Sequence, residues 1–594
     1  MCGITGEVRF DGARASAGAI TAANDVMAPR GPDGEGLWLQ GRVGFGHRRL
    51  KIIDLSDKSS QPMVDSDLGL TIVFNGILYN YPELKQELAG KGYQFFSTGD
   101  TEVILKAYHA WGLDALEKLN GMFAFAIHER DSGRVTLVRD RIGIKPLYLA
   151  EGSGFLRFAS SLPALVAAGR ADGGIDTSID PVALNHYMTF HAVVPAPHTI
   201  LKGVRKLPPG TALQIDADGT RHETRYWRAD FTRDAADASL SKEEWEERVL
   251  ETLTKAVKRR LVADVPVGVL LSGGVDSSLL VGLLAGLGQH GLKTFSIGFE
   301  TVGDEVGDEF KYSDIIAERF ETDHHRIFID SSRALPSLPK CIRAMSEPMV
   351  SHDAIGFFLL SEEVSRHVKV VQSGQGADEI FGGYHWYPPM LGSNDPVADY
   401  SRVFFDRAHE EYRQTVDPRF LNGDAAHDFV AGHFAEAGAE TPADKALRID
   451  TEIMLVDDPV KRVDNMTMAW GLEARVPFLD HELVEMAARI PPEHKLADEG
   501  KGVLKAAARL VVPSEVIDRK KGYFPVPALK YVDGPYLELV RDALSSKAAQ
   551  ERGLFAQSYL ETLFAEPSAH ITPLRGSELW QVGLLELWLQ QHGI

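Results

Sequence analysis

Cysteine is almost missing from this chain: its 594 residues include two, Cys2 and Cys341. A secreted scaffold stapled by disulfides needs more, so the expected setting is a reducing cytoplasm. Long apolar runs are missing too. No stretch approaches the roughly 18 residues that cross a bilayer. Where a secretion signal would be apolar, Met1–Asp11 carries Glu7, Arg9 and Asp11. Positive charge is in deficit, with 63 Lys and Arg against 84 Asp and Glu, a net of −21. Such a chain is ill suited to general binding of phosphate backbones, so neither a nucleic acid nor a membrane is expected as a partner. There is no internal repeat and no like-charge tail, which excludes a solenoid and a charged interaction arm. What remains is a soluble globular chain too long for one core at about 100–200 residues per domain.

Its punctuation divides it in two. Short β-prone runs bounded by Gly, Asn and Asp fill the first third: Val43–His47, Thr71–Asn75, Ala124–His128 and Val135–Arg139. Helical periodicity marks Tyr81–Lys91 and Glu102–Trp111. This mixture predicts a layered α+β domain over 2–205. A turn at Leu207–Gly210 and the small, polar stretch Ala229–Ser241 predict a connector over 206–240. From Ser241, with Glu244 three residues on as a capping box, helices dominate a second domain over 241–594. Within it Val265–Leu271, Lys293–Phe299 and Val368–Ser373 read as buried strands of a parallel sheet, the first leading through Ser-Gly-Gly into a helix that reaches Leu287.

Two constellations carry chemistry. Cys2 follows the initiator Met, and a small residue there permits removal of Met1. The exposed α-amine, with a reference pKa of about 7.7–8.0, can then take the proton of its own thiol, so nucleophile and base share one residue. Asn75-Gly76 closes an apolar run. The pair suits a hairpin turn, or an oxyanion hole made of a side-chain amide and a backbone N–H. Arg49 offers a planar fork for a carboxylate. Asp100 suits a substrate ammonium or the N-cap of the helix that follows.

The second constellation is Ser272-Gly273-Gly274-Val275-Asp276-Ser277-Ser278, between a strand and a helix. Glycines let backbone approach an anion, and the helix N-terminus supplies free N–H donors. A carboxylate in a phosphate site repels its ligand unless a cation bridges them, so Asp276 implies Mg²⁺. A second glycine-rich loop, Ser373-Gly374-Gln375-Gly376-Ala377-Asp378-Glu379, follows another strand and offers Asp378 as a second ligand. Two such loops suit a nucleotide crevice at the carboxyl edge of a parallel sheet. Arg519–Phe524 forms a basic cluster suited to a charged transition state. His324-His325 lacks ligand spacing, and Cys341, Trp245 and Trp580 read as core.

Met1–Ile4, Arg30–Asp33, Gly46–Asp54, Phe74–Gly76 and Asp100–Val103 resemble the class II glutamine amidotransferase domain, an N-terminal-nucleophile fold with an α/β/β/α sandwich. The resemblance implies Cys2 as nucleophile, Asn75 and Gly76 as oxyanion hole, and Arg49 and Asp100 as glutamine anchors. The second half, with Leu472–Asp480, resembles the ATP-pyrophosphatase domain of the glutamine-hydrolysing asparagine synthetase family, and the likeness spans nearly the whole chain. It implies ATP held by Leu271, Ser272, Gly273, Gly274, Asp276, Ser277, Ser278, Ile297, Ser373 and Gly374, and Mg²⁺ on Asp276 and Asp378. Gln375 falls at the acceptor site and Lys521 at the family's catalytic lysine. Expected substrates are glutamine, ATP and an acceptor carboxylate, with a homodimer left open as the assembly. Two residues depart from the family pattern: Ile77 and Gln375 stand where glutamates are usual. The leading acceptor is aspartate, giving asparagine. The alternative is the C-terminal carboxylate of N-acetylglutaminylglutamine, because Met466–Asp480 and Lys521–Pro527 look like that branch and a neutral Gln375 suits a blocked dipeptide. A β-lactam-forming relative would lack Cys2, and a non-catalytic one would not keep Cys2, Asn75, Asp276 and Asp378 together.

Overall fold

The computed structural model describes residues 2–299, 310–519 and 532–594. Two six-stranded antiparallel sheets come first. From edge to edge, one runs Val204–Lys206, Tyr148–Gly152, Phe155–Ala159, Gly3–Arg9, Val43–Arg49, Gly34–Gln40. The other runs Arg221–Arg225, Thr211–Ile215, Val135–Arg139, Gly121–Glu129, Leu70–Leu78, Met63–Asp65. Successive side chains of a strand face opposite sides, and this explains the stacking. In Leu70–Leu78, Val73 joins Ile4, Val8, Phe45 and Leu137 between the sheets. Its neighbours Ile72 and Phe74 face the helices Tyr81–Gly90 and Asp100–Trp111. Ala17–Val26 and Leu162–Asp172 cover the other sheet, completing the expected α/β/β/α sandwich.

The stretch 206–240, expected as a connector, contains Thr211–Ile215 and Arg221–Arg225, which are hydrogen-bonded in turn onto Val135–Arg139. The layered unit therefore continues to Arg225. Every residue of that last strand is exposed, so no apolar alternation marks it in the sequence.

The second half holds a five-stranded parallel sheet in the order Asp323–Ile329, Lys293–Phe299, Val267–Leu270, Val370–Gln372, Glu473–Arg475. Three of these strands lie within the expected runs. The edge strand Glu473–Arg475 was not expected: it is Glu-Ala-Arg, and its charges are buried as an ion pair at 2.6 Å. The helix Lys242–Arg259 starts at a reciprocal capping box between Ser241 and Glu244. Trp245 and Trp580 lie in the core, as does Cys341, whose Sγ lies 3.5 Å from Met466 Sδ.

Buried ion pairs join the halves. Asp464 meets Arg30 at 2.9 Å and Lys145 at 3.2 Å, while Lys206 meets Asp457 at 2.6 Å and Glu347 at 3.1 Å. Each partner satisfies a charge that would otherwise be stranded away from water.

Candidate active sites

Cys2 leads into the strand Gly3–Arg9, and its backbone N–H donates to Asn75 Oδ1 at 2.9 Å. Asn75-Gly76 is not a hairpin turn. It lies inside Leu70–Leu78, opposite Ala124 and Phe123. A Cβ on Gly76 would collide with the carbonyl oxygen of Met122, so only glycine fits where the strand passes the thiol. A small cavity is bounded by Cys2, Arg49, Gly76, Ile77, Asp100 and Glu473; Asn75 touches Cys2 but does not line it. Arg49 is held by donating to the carbonyls of Ser56 at 2.8 Å and Asp54 at 2.5 Å.

Asp100 does not cap its helix, because Gly99 takes that position. Its carboxylate instead accepts from Leu78 N–H at 3.0 Å. Burial, only partly offset by that donor, pushes its pKa up to about 6. Burial also raises the Cys2 thiol, against smaller lowering effects that include the Leu50 backbone and Arg49. A thiolate here therefore needs a dedicated base. Glu473 belongs to the other half of the chain and was not expected at this cavity. Burial works against its ionisation, yet opposing positive charges, Arg475 among them, bring its pKa down to about 2.

The second site lies at the carboxyl ends of the parallel strands, around a cavity of about 420 Å³. Leu271, Ser272, Gly274, Asp276, Ser277, Ile297, Ser373 and Gly374 line it, together with Gln375 and Asp378. Gly273 and Ser278, expected in the same set, do not. Gly273 has φ +72° and turns its α-carbon toward Tyr312 and Ser313. Ser278 is fully buried inside the helix Val275–Gly286, with its N–H bonded to Gly274 at 3.0 Å. Ser277 Oγ braces the loop by accepting from Ser272 N–H at 3.1 Å. Lys521, and the whole stretch Lys521–Pro527, lie outside the described residues.

One lysine that the sequence reading passed over does reach the centre. Lys501 Nζ lies 2.7 Å from Asp276 Oδ2 and 2.9 Å from Asp378 Oδ1. Burial would discharge it, but the two carboxylates hold its pKa well above the ordinary lysine value. The helix Asp353–Val364 presents Asp353, Phe357 and Leu360 to the same cavity.

Against known families, residues 248–590 match the asparagine synthase model and residues 1–227 the glutamine amidotransferase domain. The chain belongs to the asparagine synthase family. Family membership extends over both halves: asparagine synthetase [glutamine-hydrolyzing] 1 of Bacillus subtilis is 31% identical over 96% of this chain and 93% of its own length. Asparagine synthetase [glutamine-hydrolyzing] 3 of the same organism is 32% identical over 88% of this chain and 87% of its own. A putative asparagine synthetase [glutamine-hydrolyzing] of Mycobacterium tuberculosis H37Rv is 34% identical over 89% and 88%. For an asparagine synthase family member, the two cavities fall one on each matched domain, with Glu473 crossing from the second to the first.

Proposed function

We propose that the protein makes asparagine from aspartate, using glutamine as the nitrogen source and ATP to activate the acceptor. With Met1 removed, the Cys2 amine takes the thiol proton and the sulfur attacks the glutamine side-chain amide. Asn75 and the Gly76 N–H stabilise the oxyanion. Arg49 holds the substrate carboxylate and Asp100 its ammonium, which favours the ionised carboxylate despite the burial. Ammonia leaves, and water frees glutamate from the thioester. At the second site the loop Ser272–Ser277 holds the ATP phosphates, the acceptor carboxylate attacks the α-phosphorus, and pyrophosphate departs. Ammonia then displaces AMP to give the amide.

The observation that carries this reading is the strand pair between the sites. Val370 pairs with Glu473 and Gln372 with Arg475. One strand leads into Ser373-Gly374-Gln375 at the large cavity, while the other presents Glu473 to the small one. Ammonia released beside Cys2 is thus born against a strand of the second half of the chain.

Asp276 and Asp378 suit Mg²⁺: both offer hard oxygen ligands, and the Lys501 ammonium already sits between them. Bound there, the metal would neutralise charge on the departing pyrophosphate.

The acceptor is tested by pyrophosphate release with aspartate and with N-acetylglutaminylglutamine at equal concentration, product masses recorded. Aspartate-dependent release with asparagine formed is the expected result. Silence with aspartate and turnover of the dipeptide would replace this reading, and Gln375 would then be its basis.

A further inference from the structure

The contact between Lys501 and the two aspartates has a consequence for the order of binding. Lys501 is 5% exposed, and its ammonium bridges carboxylates that are 225 and 123 residues away in sequence, at 2.7 and 2.9 Å. Room for the bridge is built in. A Cβ on Gly383 would overlap both Asp378 Oδ1 and Lys501 Cε, so the glycine leaves space for the lysine stem to pass.

The backbone that delivers the lysine is unusual. Asp498, Glu499, Gly500 and Lys501 have φ of 53°, 61°, 96° and 57°, four consecutive left-handed residues of which three carry side chains. That conformation is unfavourable for any residue with a Cβ. It persists where surrounding contacts fix it, and here the ion pair lies at one end and the helix Gly502–Ala508 follows directly. The ammonium takes one oxygen of each carboxylate, Asp276 Oδ2 and Asp378 Oδ1, and its positive charge opposes a divalent cation at the same pair.

We propose that Lys501 is an internal substitute for the divalent cation: it holds Asp276 and Asp378 together in the nucleotide-free enzyme and keeps the metal out until nucleotide arrives. Phosphates then offer the ammonium a new anionic partner, the carboxylates are released to the metal, and the left-handed turn is freed from its anchor. Binding is therefore ordered, with free metal excluded and metal bound together with nucleotide. This rests on the reading of Asp276 and Asp378 as metal ligands.

The test uses Mn²⁺ alone as the probe, with free and bound ion counted by electron paramagnetic resonance on the full-length protein. Without nucleotide, the wild type should bind Mn²⁺ at least about tenfold more weakly than Lys501→Met, since removal of one competing unit charge is worth that much or more. Lys501→Arg, which keeps the charge, should stay weak. Lys501→Met with Asp276→Asn should lose the gain, placing it at this pair. Mn²⁺ should raise the melting temperature of Lys501→Met and not that of the wild type. Equal affinity in wild type and Lys501→Met would overturn the proposal while leaving the metal reading intact. So would a tight, nucleotide-independent Mn²⁺ site in the wild type that Asp276→Asn removes, a result that needs no lysine variant to fold. Absence of Mn²⁺ binding in every protein even with ATP would remove the metal reading itself, and this proposal with it.

Discussion

The two cavities are built on opposite kinds of sheet. The Cys2 site lies on antiparallel strands, at the end of one and the middle of another. Three of its polar groups are held by backbone: Asn75 by the Cys2 N–H, Asp100 by the Leu78 N–H, Arg49 by two carbonyls. The phosphate-loop site lies where parallel strands stop, and loops and helix ends frame it. There charge is balanced by side chain against side chain, Lys501 against Asp276 and Asp378. A backbone-braced site is preorganised for one small amide and one tetrahedral intermediate. A site of mutually paired charges can exchange partners, which suits successive binding of nucleotide, acceptor and ammonia. The same chain thus braces one cavity by backbone hydrogen bonds and the other by paired side-chain charges.

The most severe way to separate the sites is Cys2→Ala. Glutamine-dependent synthesis and glutaminase activity should fall by at least ~10⁴-fold, because the nucleophile itself is lost, while synthesis from added ammonium persists. Equal loss of both would mean that the sites do not work independently. Asp276→Asn should do the converse. Pyrophosphate release should drop by about 10³-fold, or about 4 kcal/mol of transition-state stabilisation, with glutaminase still measurable. ADP as product in place of AMP would contradict the role given to the loop.

At the junction of the halves Asp464 carries Arg30 and Lys145, and Arg30 Nε also reaches the Cys2 carbonyl at 3.3 Å. Asp464→Asn leaves two buried cations short of a counter-charge, so unfolding stability should fall by about 3 kcal/mol. Chemical denaturation checks this, and an unchanged midpoint would show the junction to be dispensable.

The mildest expected effect is on pH. Asp100, raised to about 6 by burial, is neutral below that pH and cannot hold an ammonium. The glutamine KM should therefore climb roughly tenfold per unit as pH falls below about 6, while the KM for ammonium in the synthesis reaction does not follow it. Asp100→Asn should flatten that profile. For folding the sign is opposite. A carboxyl whose folded pKa is raised favours its protonated form, so its contribution to stability is lost as pH rises from about 4 through about 6.

Legibility in the sequence followed burial and chemistry. The runs Val135–Arg139 and Lys293–Phe299 were read to the residue because apolar, β-branched side chains mark a strand buried on both faces. Ser241 and Glu244 fixed a helix start because capping is local. Arg221–Arg225 was missed because an exposed edge strand needs no apolar pattern. Glu473–Arg475 was missed for the opposite reason: its charges neutralise one another inside the protein, and nothing local announces that. Gly273 and Ser278 were expected with the phosphate loop, but the left-handed turn at Gly273 points it at Tyr312 and Ser313, and the helix from Val275 turns Ser278 into the core.

The amino-acid sequence by itself determined the two chemistries, the order of the two halves and several of the polar residues that line each cavity. Those depend on short motifs whose geometry is set within a few residues, such as a thiol behind the initiator methionine or glycines before a helix. The tertiary structure alone decided that Glu473 borders the Cys2 cavity, that Asp464 joins the halves to Arg30 and Lys145, and that Lys501 occupies the aspartate pair. Each of these is an ion pair or cavity wall drawn from distant parts of the chain. Such pairs are selected by burial, where an unmatched charge is costly and a matched one is tolerated, and burial is a property of the folded whole.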